Sequence, residues 1–132
     1  MNELEAAIAT RLKEDTTLIG LGMTGVHRWP APEEAPFPYV VFQPRPGRDR
    51  YTLARRAWEE LPYQIEAIDK SRSAKRAGQM GDRIDALFTD QPLAVTARNT
   101  LYARRQTRIN FSEHEDGVVY QHGGGVFAFW EA

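Results

Sequence analysis

Side chains that could do chemistry are concentrated near the end of the sequence. Imidazole and carboxylate groups are good ligands for divalent ions, and four such residues are consecutive: Glu113, His114, Glu115 and Asp116. Consecutive residues in a turn point in different directions, and no second histidine lies at a metal-ligand spacing from these four. Because the segment is polar and ends in Asp-Gly, it predicts a solvated hairpin turn and not a metal or acid–base site.

His122 precedes three glycines, Gly123, Gly124 and Gly125, and this pattern could suggest a phosphate-binding loop. Such a loop needs a following helix whose free amides face the anion, whereas an aromatic strand follows here. A β-bulge or a close approach of two backbones explains the glycines better. The serines and histidines show no nucleophile elbow or triad pattern, and cysteine is absent. We therefore expect no enzymatic activity, no cofactor and no metal.

Acidic residues also recur along one predicted strand. That strand alternates apolar and polar positions, as a half-buried strand does. A solvated strand face is therefore the expected place of its carboxylates: Glu59, Glu60, Glu66 and Asp69.

Two other features indicate contact with other molecules. Five arginines lie in a predicted loop at residues 44–56, and the planar guanidinium suits carboxylates and phosphates alike. The last strand is apolar on both faces at residues 126–130, whereas a two-layer domain normally covers only one face of its sheet. The second face is then either under a helix or against another subunit. The candidate contact residues are Arg45, Arg48, Arg50, Arg55, Arg56, Phe127, Phe129 and Trp130.

The composition is that of one globular domain, residues 1–132. The chain is 42% hydrophobic and 27% charged, close to the globular average. Its formal net charge of −1 provides no global attraction to nucleic acid or to an anionic membrane. Its apolar runs are far shorter than the roughly 20 residues of a membrane span, and the acidic N-terminus lacks the features of a signal peptide. We expect neither membrane insertion nor export.

Two periodicities define the elements that must position these residues. Helical spacing predicts one helix from Asn2 to about Asp15 and a second that Ser71 or Ser73 caps and that ends near Phe88. Alternating or β-branched apolar segments predict strands at residues 26–29, 39–43, 58–69, 93–95, 101–111 and 118–130.

The predicted fold is α+β, with a mostly antiparallel sheet, two helices packed on one face and a C-terminal β-hairpin. Two residues fit this pattern poorly. Arg105 violates the alternation of its strand, and Pro62, which has no amide hydrogen, must lie at an edge or a bulge. The predicted core is Ile8, Leu12, Val41, Ile65, Ile84, Leu87 and Ile109.

The order of these segments carries a family resemblance. Its pieces are the opening helix at residues 4–12, the turn at 15–21, the proline-led strand at 37–42, the strand at 63–69, the helix at 74–88 and the terminal hairpin. In this order they resemble the tail-completion, or tail-terminator, family of long-tailed bacteriophages and phage-derived gene transfer agents. The likeness covers nearly the whole chain, although the glycines at 123–125 are not a feature of the family.

The resemblance implies a structural virion protein and no catalytic residues. Related proteins close into a ring, six-fold, at the head-proximal end of the tail tube. There the ring ends tube polymerisation and offers a surface to the head connector. The implied partners are further copies of the chain, the tail tube protein and the head–tail connector protein, with DNA passing through the ring lumen. The implied location is the virion, after assembly in the host cytoplasm.

An alternative from another class is a small nucleic-acid-binding or regulatory module. It would use the arginines of residues 45–56, with Tyr51 and Trp58 as stacking groups. The neutral charge balance and the lack of a basic surface along a whole element speak against it.

Overall fold

The computed structural model describes residues 2–46, 48–52 and 55–131, with the side chains of residues 48–52 and 55–59 outside the description. Within these ranges the chain forms three helices and six strands. The helices are α1 (Glu3–Glu14), α2 (Thr16–Gly20) and α3 (Lys75–Phe88). The strands are β1 (Val26–Arg28), β2 (Tyr39–Pro44), β3 (Arg48–Thr52), β4 (Arg55–Lys70), β5 (Leu101–Glu115) and β6 (Val118–Glu131).

The sheet has the order β1-β2-β4-β6-β5, and β3 pairs with the first part of β4. β1 and β2 are parallel, and the other pairs are antiparallel. This architecture confirms the predicted α+β fold, the mostly antiparallel sheet and the C-terminal hairpin, which β5 and β6 form. Residues 93–95 form only an isolated bridge, between Leu93 and Leu101, and not a strand.

Side-chain caps begin two of the three helices. Asn2 Oδ1 accepts a hydrogen bond from the Glu5 N–H at 2.8 Å and begins α1, as predicted. Asp15 ends α1 and begins α2, because its Oδ2 accepts from the Leu18 N–H at 2.9 Å. This second cap produces a third helix where the sequence predicts a turn. In α3 the N-cap is Ala74, which forms no side-chain cap, and Ser73 Oγ just before it accepts from the Lys75 N–H at 3.2 Å.

All three helices lie on one side of the sheet, around a single apolar cluster. We call this side the helix face and the opposite side the open face, on which no described helix lies. Residues paired across antiparallel strands share a face, so the pairings identify the side chains of the open face. They include Tyr39, Val41, Glu66, Ile68, Tyr102, Ile109, Phe111, Glu113, Glu115, Val118, Tyr120, His122, Val126, Ala128 and Trp130.

Most of the predicted core is buried. Five of its residues are exposed by 2% or less, namely Ile8, Leu12, Val41, Ile65 and Ile84. Leu87 packs against the cluster while partly buried. Val41 is buried on the open face, and Ile109 is only half-buried there, so the prediction that Ile109 lies inside with the helices is wrong.

A β-bulge in β5 explains the misplaced Ile109. Arg105 and Thr107 pair with adjacent residues of β6, which leaves Gln106 as an extra residue. The alternation therefore changes phase at this point. Ile109 and Phe111 would face the helices in a regular strand, but the bulge turns them to the open face.

Residues 44–56 are not the long loop that the sequence predicts. Arg48 to Thr52 pair with Glu60 to Arg55 in an antiparallel hairpin, which we call the basic hairpin, residues 48–60. The pairing satisfies backbone hydrogen bonds without requiring an apolar face, so the sequence pattern did not reveal it. The described pairing of β4 with β6 begins only at Leu61, so the basic hairpin extends past the end of β6. Pro62 lies opposite the junction between β2 and β3, as expected for a residue that cannot donate.

Helix α3 and strand β6 make direct backbone contact. A Cβ at Gly123 would overlap the Ala77 carbonyl oxygen, and a Cβ at Gly81 would lie 2.8 Å from the Gly123 carbonyl carbon. The missing side chains on both surfaces allow this approach. The predicted close approach of two backbones at residues 123–125 is therefore confirmed, and the bulge lies in β5 instead.

Candidate interaction site on the open face

A histidine and two glutamates from three adjacent strands meet on the open face. His122 of β6 lies between Glu66 of β4 and Glu113 of β5. Its Nε2 is 3.0 Å from Glu113 Oε1, and its Nδ1 is 3.5 Å from Glu66 Oε1. Glu66 is paired with Gly124, whose missing side chain leaves room for His122 to reach Glu66 diagonally. The register of the three strands thus builds the cluster.

The prediction of a solvated strand face is wrong for Glu66 and Asp69, which are only 4% and 1% exposed. Asp69 lies on the helix side, where both its oxygens accept hydrogen bonds from Arg76 at 3.1 Å. Glu66 Oε2 and His122 Nδ1 have no hydrogen-bond partner in the described part of the chain. His122 Nδ1 and Glu66 Oε1 form an ion pair at 3.5 Å, so charge holds the two side chains together.

The cluster favours a protonated imidazole. Burial lowers the pKa of His122, but its interactions with Glu66 and then with Glu113 outweigh burial and raise that pKa above its ordinary value. His122 therefore remains an imidazolium between two carboxylates to a higher pH than a free histidine would. The pKa of the neighbouring Tyr39 is also raised, by burial and then by the charge of Glu66.

Aromatic rings surround this charged group. Phe111 stacks on the His122 imidazole with ring centroids 4.2 Å apart and is itself 50% exposed. Phe37 lies 5.0 Å from Tyr39 and 5.5 Å from Tyr120, measured between ring centroids. Together these residues form what we call the acidic–aromatic patch: Phe37, Tyr39, Glu66, Phe111, Glu113, Tyr120 and His122.

This arrangement suits a planar cation better than a metal ion. The two glutamates approach opposite nitrogens of one imidazole ring, so they do not converge on a common centre. In the described ranges, no group of three or more histidine or acidic side chains is placed to hold a metal. Rings beside carboxylates can instead stack on and hydrogen-bond a guanidinium.

The predicted hairpin turn forms at Asp116 and Gly117, whose φ angles of 50° and 77° fit an Asp-Gly two-residue turn. All four residues of the segment are exposed, as predicted, but Glu113, His114 and Glu115 lie at the end of β5 and only Asp116 lies in the turn. Glu113 also bonds to His122.

The predicted contact residues are divided among three places. Phe127 and Phe129 are 0% and 1% exposed and pack on Phe88, so they offer no free surface to a partner. Trp130 is half-buried on the open face. Arg45 is exposed and its N–H donates to the Pro62 carbonyl oxygen at 2.8 Å.

The other four arginines lie on the basic hairpin, and their side chains are outside the described part of the structure: Arg48, Arg50, Arg55 and Arg56. The same holds for the side chain of Glu59, whereas Glu60 is half-buried. A contact role for these arginines and for Trp130 remains a prediction.

The sequence did not reveal the pairing of Glu66 with His122. Both residues look like polar members of alternating strands, and their meeting depends on the register of β4 against β6. The glycine at position 124, which pairs with Glu66, was the sequence signal that could have indicated space for a neighbouring side chain at this point. A second buried carboxylate, Glu5, was also missed: its oxygens accept from Arg28 Nε at 2.7 Å and from the Tyr63 hydroxyl at 2.8 Å. Burial and then this bond raise the pKa of Tyr63 to about 12.

The fold and its surfaces define a small subunit with one sheet face on which no described helix lies and with a projecting hairpin. A family model described as "Tail completion protein gp17" matches residues 6–123 of the 132-residue chain. The chain belongs to this family of phage tail structural proteins, which places it in the virion and implies interaction with other tail or head components. No curated protein and no solved structure matches the chain. In the described ranges, no helix is long and apolar enough to cross a membrane.

Proposed function

We propose that the protein forms a closed ring, a hexamer, at the head-proximal end of a tail tube of a phage or gene transfer agent. The ring ends tube polymerisation and joins the tail to the head connector. The observation that carries this proposal is the match to the tail-completion family over residues 6–123. The protein acts as a structural component without catalysis, and it reaches the virion from the host cytoplasm.

The distribution of charge supports contacts between unlike surfaces. The net charge is −1, yet five arginines lie within residues 45–56 and acidic side chains lie at the β5–β6 turn. When a patch on one copy meets a different patch on the next, the contact is heterologous. Such contacts produce a closed ring if the rotation from each subunit to the next adds up to a full turn. A ring needs such a pair of surfaces on every subunit.

The basic hairpin supports a contact outside its own domain. It extends past the last described pairing of β4 with β6, so it is available to a neighbouring subunit, to the tube protein or to the connector. Contact with DNA in the ring lumen is the weaker alternative. Guanidinium groups serve all of these partners, because carboxylates and phosphates both present pairs of anionic oxygens that can accept two parallel N–H bonds.

The test is the position and mass of the protein in particles. We expect free protein to be monomeric or weakly associated, because a terminator must not assemble before the tube is complete. Mass photometry of the purified chain and immunogold labelling of tails measure the two states. Label at one end of the tail, next to the head, is the expected result. Label along the whole tube would contradict the proposal.

A further inference from the structure

We propose that the acidic–aromatic patch of one copy binds the basic hairpin of the next copy. This contact rests on the proposed ring function and names the surfaces that join neighbouring subunits. The patch lies on the open face, where Phe111 and Glu113 are its exposed members, and the hairpin projects from the far end of the same sheet.

The hairpin cannot reach the patch of its own chain. Arg55 and Glu66 are eleven residues apart on the continuous strand β4, which is about 36 Å at 3.3 Å per residue. The β5–β6 turn lies still further away, beyond the pairing of Lys70 with Tyr120. A contact between the two surfaces therefore joins different copies, head to tail.

The charges of the two surfaces are complementary. The basic hairpin contains four arginines against three acidic residues, and both of its glutamates, Glu59 and Glu60, lie at its base, next to the sheet. In the β3–β4 register the arginines nearest the tip lie opposite residues without negative charge, since Arg50, Arg55 and Arg56 are paired with Trp58, Thr52 and Tyr51.

At the other end of the sheet the excess is acidic. Glu113 and Glu115 lie on the open face beside the exposed Asp116 of the turn. Lys70 and the imidazolium of His122 are the cations of the described strands on this part of the face, and they are outnumbered by the carboxylates of Glu66, Glu113, Glu115 and Asp116.

The patch has the chemistry to hold a guanidinium. Glu113 has a side chain that is 53% exposed and presents a carboxylate at the surface, while Phe111 presents a half-exposed ring beside it. Below them, Glu66 retains a carboxylate oxygen without a hydrogen-bond partner in the described structure. Arginine can stack on the ring and donate to a carboxylate in one pose, which lysine does less well. Glu66 Oε2 is therefore an acceptor on this face that no described group of the same chain uses.

Cysteine cross-linking tests the contact directly, because the natural chain has no cysteine. Thr52→Cys labels the hairpin, and Val118→Cys labels the open face near the patch without removing a patch residue. The two variants are mixed and treated with a short bismaleimide, both as purified protein at high concentration and in assembled tails. Glu14→Cys, exposed on α1, replaces Val118→Cys as the matched control.

We expect the hairpin–patch mixture to form at least about ten times more cross-linked dimer than the control mixture, the ratio that about 1.4 kcal/mol of preference produces. Equal yields in both mixtures would overturn the proposal. So would cross-links from Thr52→Cys that reach only the tube protein, or a hairpin that binds DNA while forming no dimer.

Charge reversal decides whether the two surfaces touch. Arg50→Glu with Arg55→Glu, or Glu113→Lys with Glu115→Lys, should each lower the dimer yield at least about tenfold, since removing one partner of an interfacial charge pair is costly. Combining both reversals should restore it. If Glu113→Lys disturbs folding, Glu115→Lys alone leaves the His122 contacts in place and keeps the test available. No rescue by the combination would overturn the contact.

The outcomes separate this contact from the ring function. Protein located at the tail end without the hairpin–patch cross-link would refute the contact and leave the proposed function standing. A hairpin–patch cross-link formed by protein that labels the whole tube, and not one end of the tail, would refute the proposed function and leave the contact standing.

Discussion

The most informative residue of the molecule is His122, because it holds three strands together by charge. Its ring contacts Glu66 of β4 and Glu113 of β5 while its own backbone is part of β6. A buried histidine between carboxylates stabilises the folded state only while it is protonated. The open face therefore carries a pH-dependent contribution to stability.

The sign of that dependence follows from the raised pKa of His122. A histidine with a raised folded-state pKa contributes stability that is fully present below its unfolded pKa, about 6.5. That contribution is lost as the pH rises through the folded-state pKa. His122→Gln should therefore cost more stability at pH 5.5 than at pH 8.5, measured as the urea midpoint.

The control for this prediction is His114→Gln, which changes an exposed histidine near the end of β5. It should change the urea midpoint equally at the two pH values. A His122→Gln variant whose stability loss is the same at both pH values, or larger at pH 8.5, would show that His122 is not the titrating group.

At the scale of the elements, Asp15 connects two helices to a third. It caps α2 through Leu18 N–H, and its carboxylate also accepts from Arg83 of α3, with Nε at 3.0 Å from Oδ2. Asp15→Ala should lower the free energy of unfolding by about 1–2 kcal/mol, because the cap is lost and Arg83 loses its partner. Chemical denaturation measures this value. Glu14→Ala, at the exposed neighbouring position, should change it by less than about 0.5 kcal/mol.

The contact between α3 and β6 makes a second element-scale prediction. Gly123→Ala should destabilise the fold by about 1–3 kcal/mol, because the new methyl group overlaps the Ala77 carbonyl and the backbones must separate. Gly78→Ala in the same helix has nothing within 4 Å of the added Cβ and should instead stabilise by about 0.5–1 kcal/mol. Thermal unfolding of both variants checks the pair. A neutral Gly123→Ala would contradict the close packing.

The elements also show what the sequence can and cannot predict. The Asn2 cap identifies the start of α1, and periodicity identifies α1, α3 and the long strands, because these signals are local. The face of Phe111 is not predictable, since it depends on a one-residue bulge whose only trace is Arg105. The basic hairpin lacks an apolar alternation, and the Glu66–His122 pair depends on strand register. The missed parts of the site are thus the ones fixed by pairing between distant segments.

At the scale of the whole molecule, the basic hairpin can be altered without changing the domain. Arg48→Ala, Arg50→Ala and Arg55→Ala together should leave the circular dichroism spectrum and thermal midpoint close to those of the natural chain, because arginine is mostly a surface residue and surface substitutions usually change stability by less than about 0.5 kcal/mol. Assembly should suffer, seen by electron microscopy as tails of irregular length or tails without heads. Normal tail lengths and normal joining to heads would mean that the hairpin is not a contact surface.

The matched control replaces three exposed charges elsewhere: Lys13→Ala, Arg72→Ala and Lys75→Ala. This variant removes the same amount of positive charge from the molecule. It should support assembly at the normal rate. A defect seen only in the hairpin variant would then be due to where the charges were removed and not to the change in net charge.

The bulge in β5 also determines where the chain can change length. β5 has 15 residues and β6 has 14, and Gln106 is the surplus residue. Deletion of Gln106 would leave two strands of equal length. The residues before and after the deletion would keep their partners in β6 and their faces of the sheet. Loss of any other residue of β5 would force the bulge to move or would exchange the two faces beyond it. Among family members, we therefore expect single-residue gaps in this hairpin to fall at the position of Gln106, where an insertion or deletion is structurally neutral.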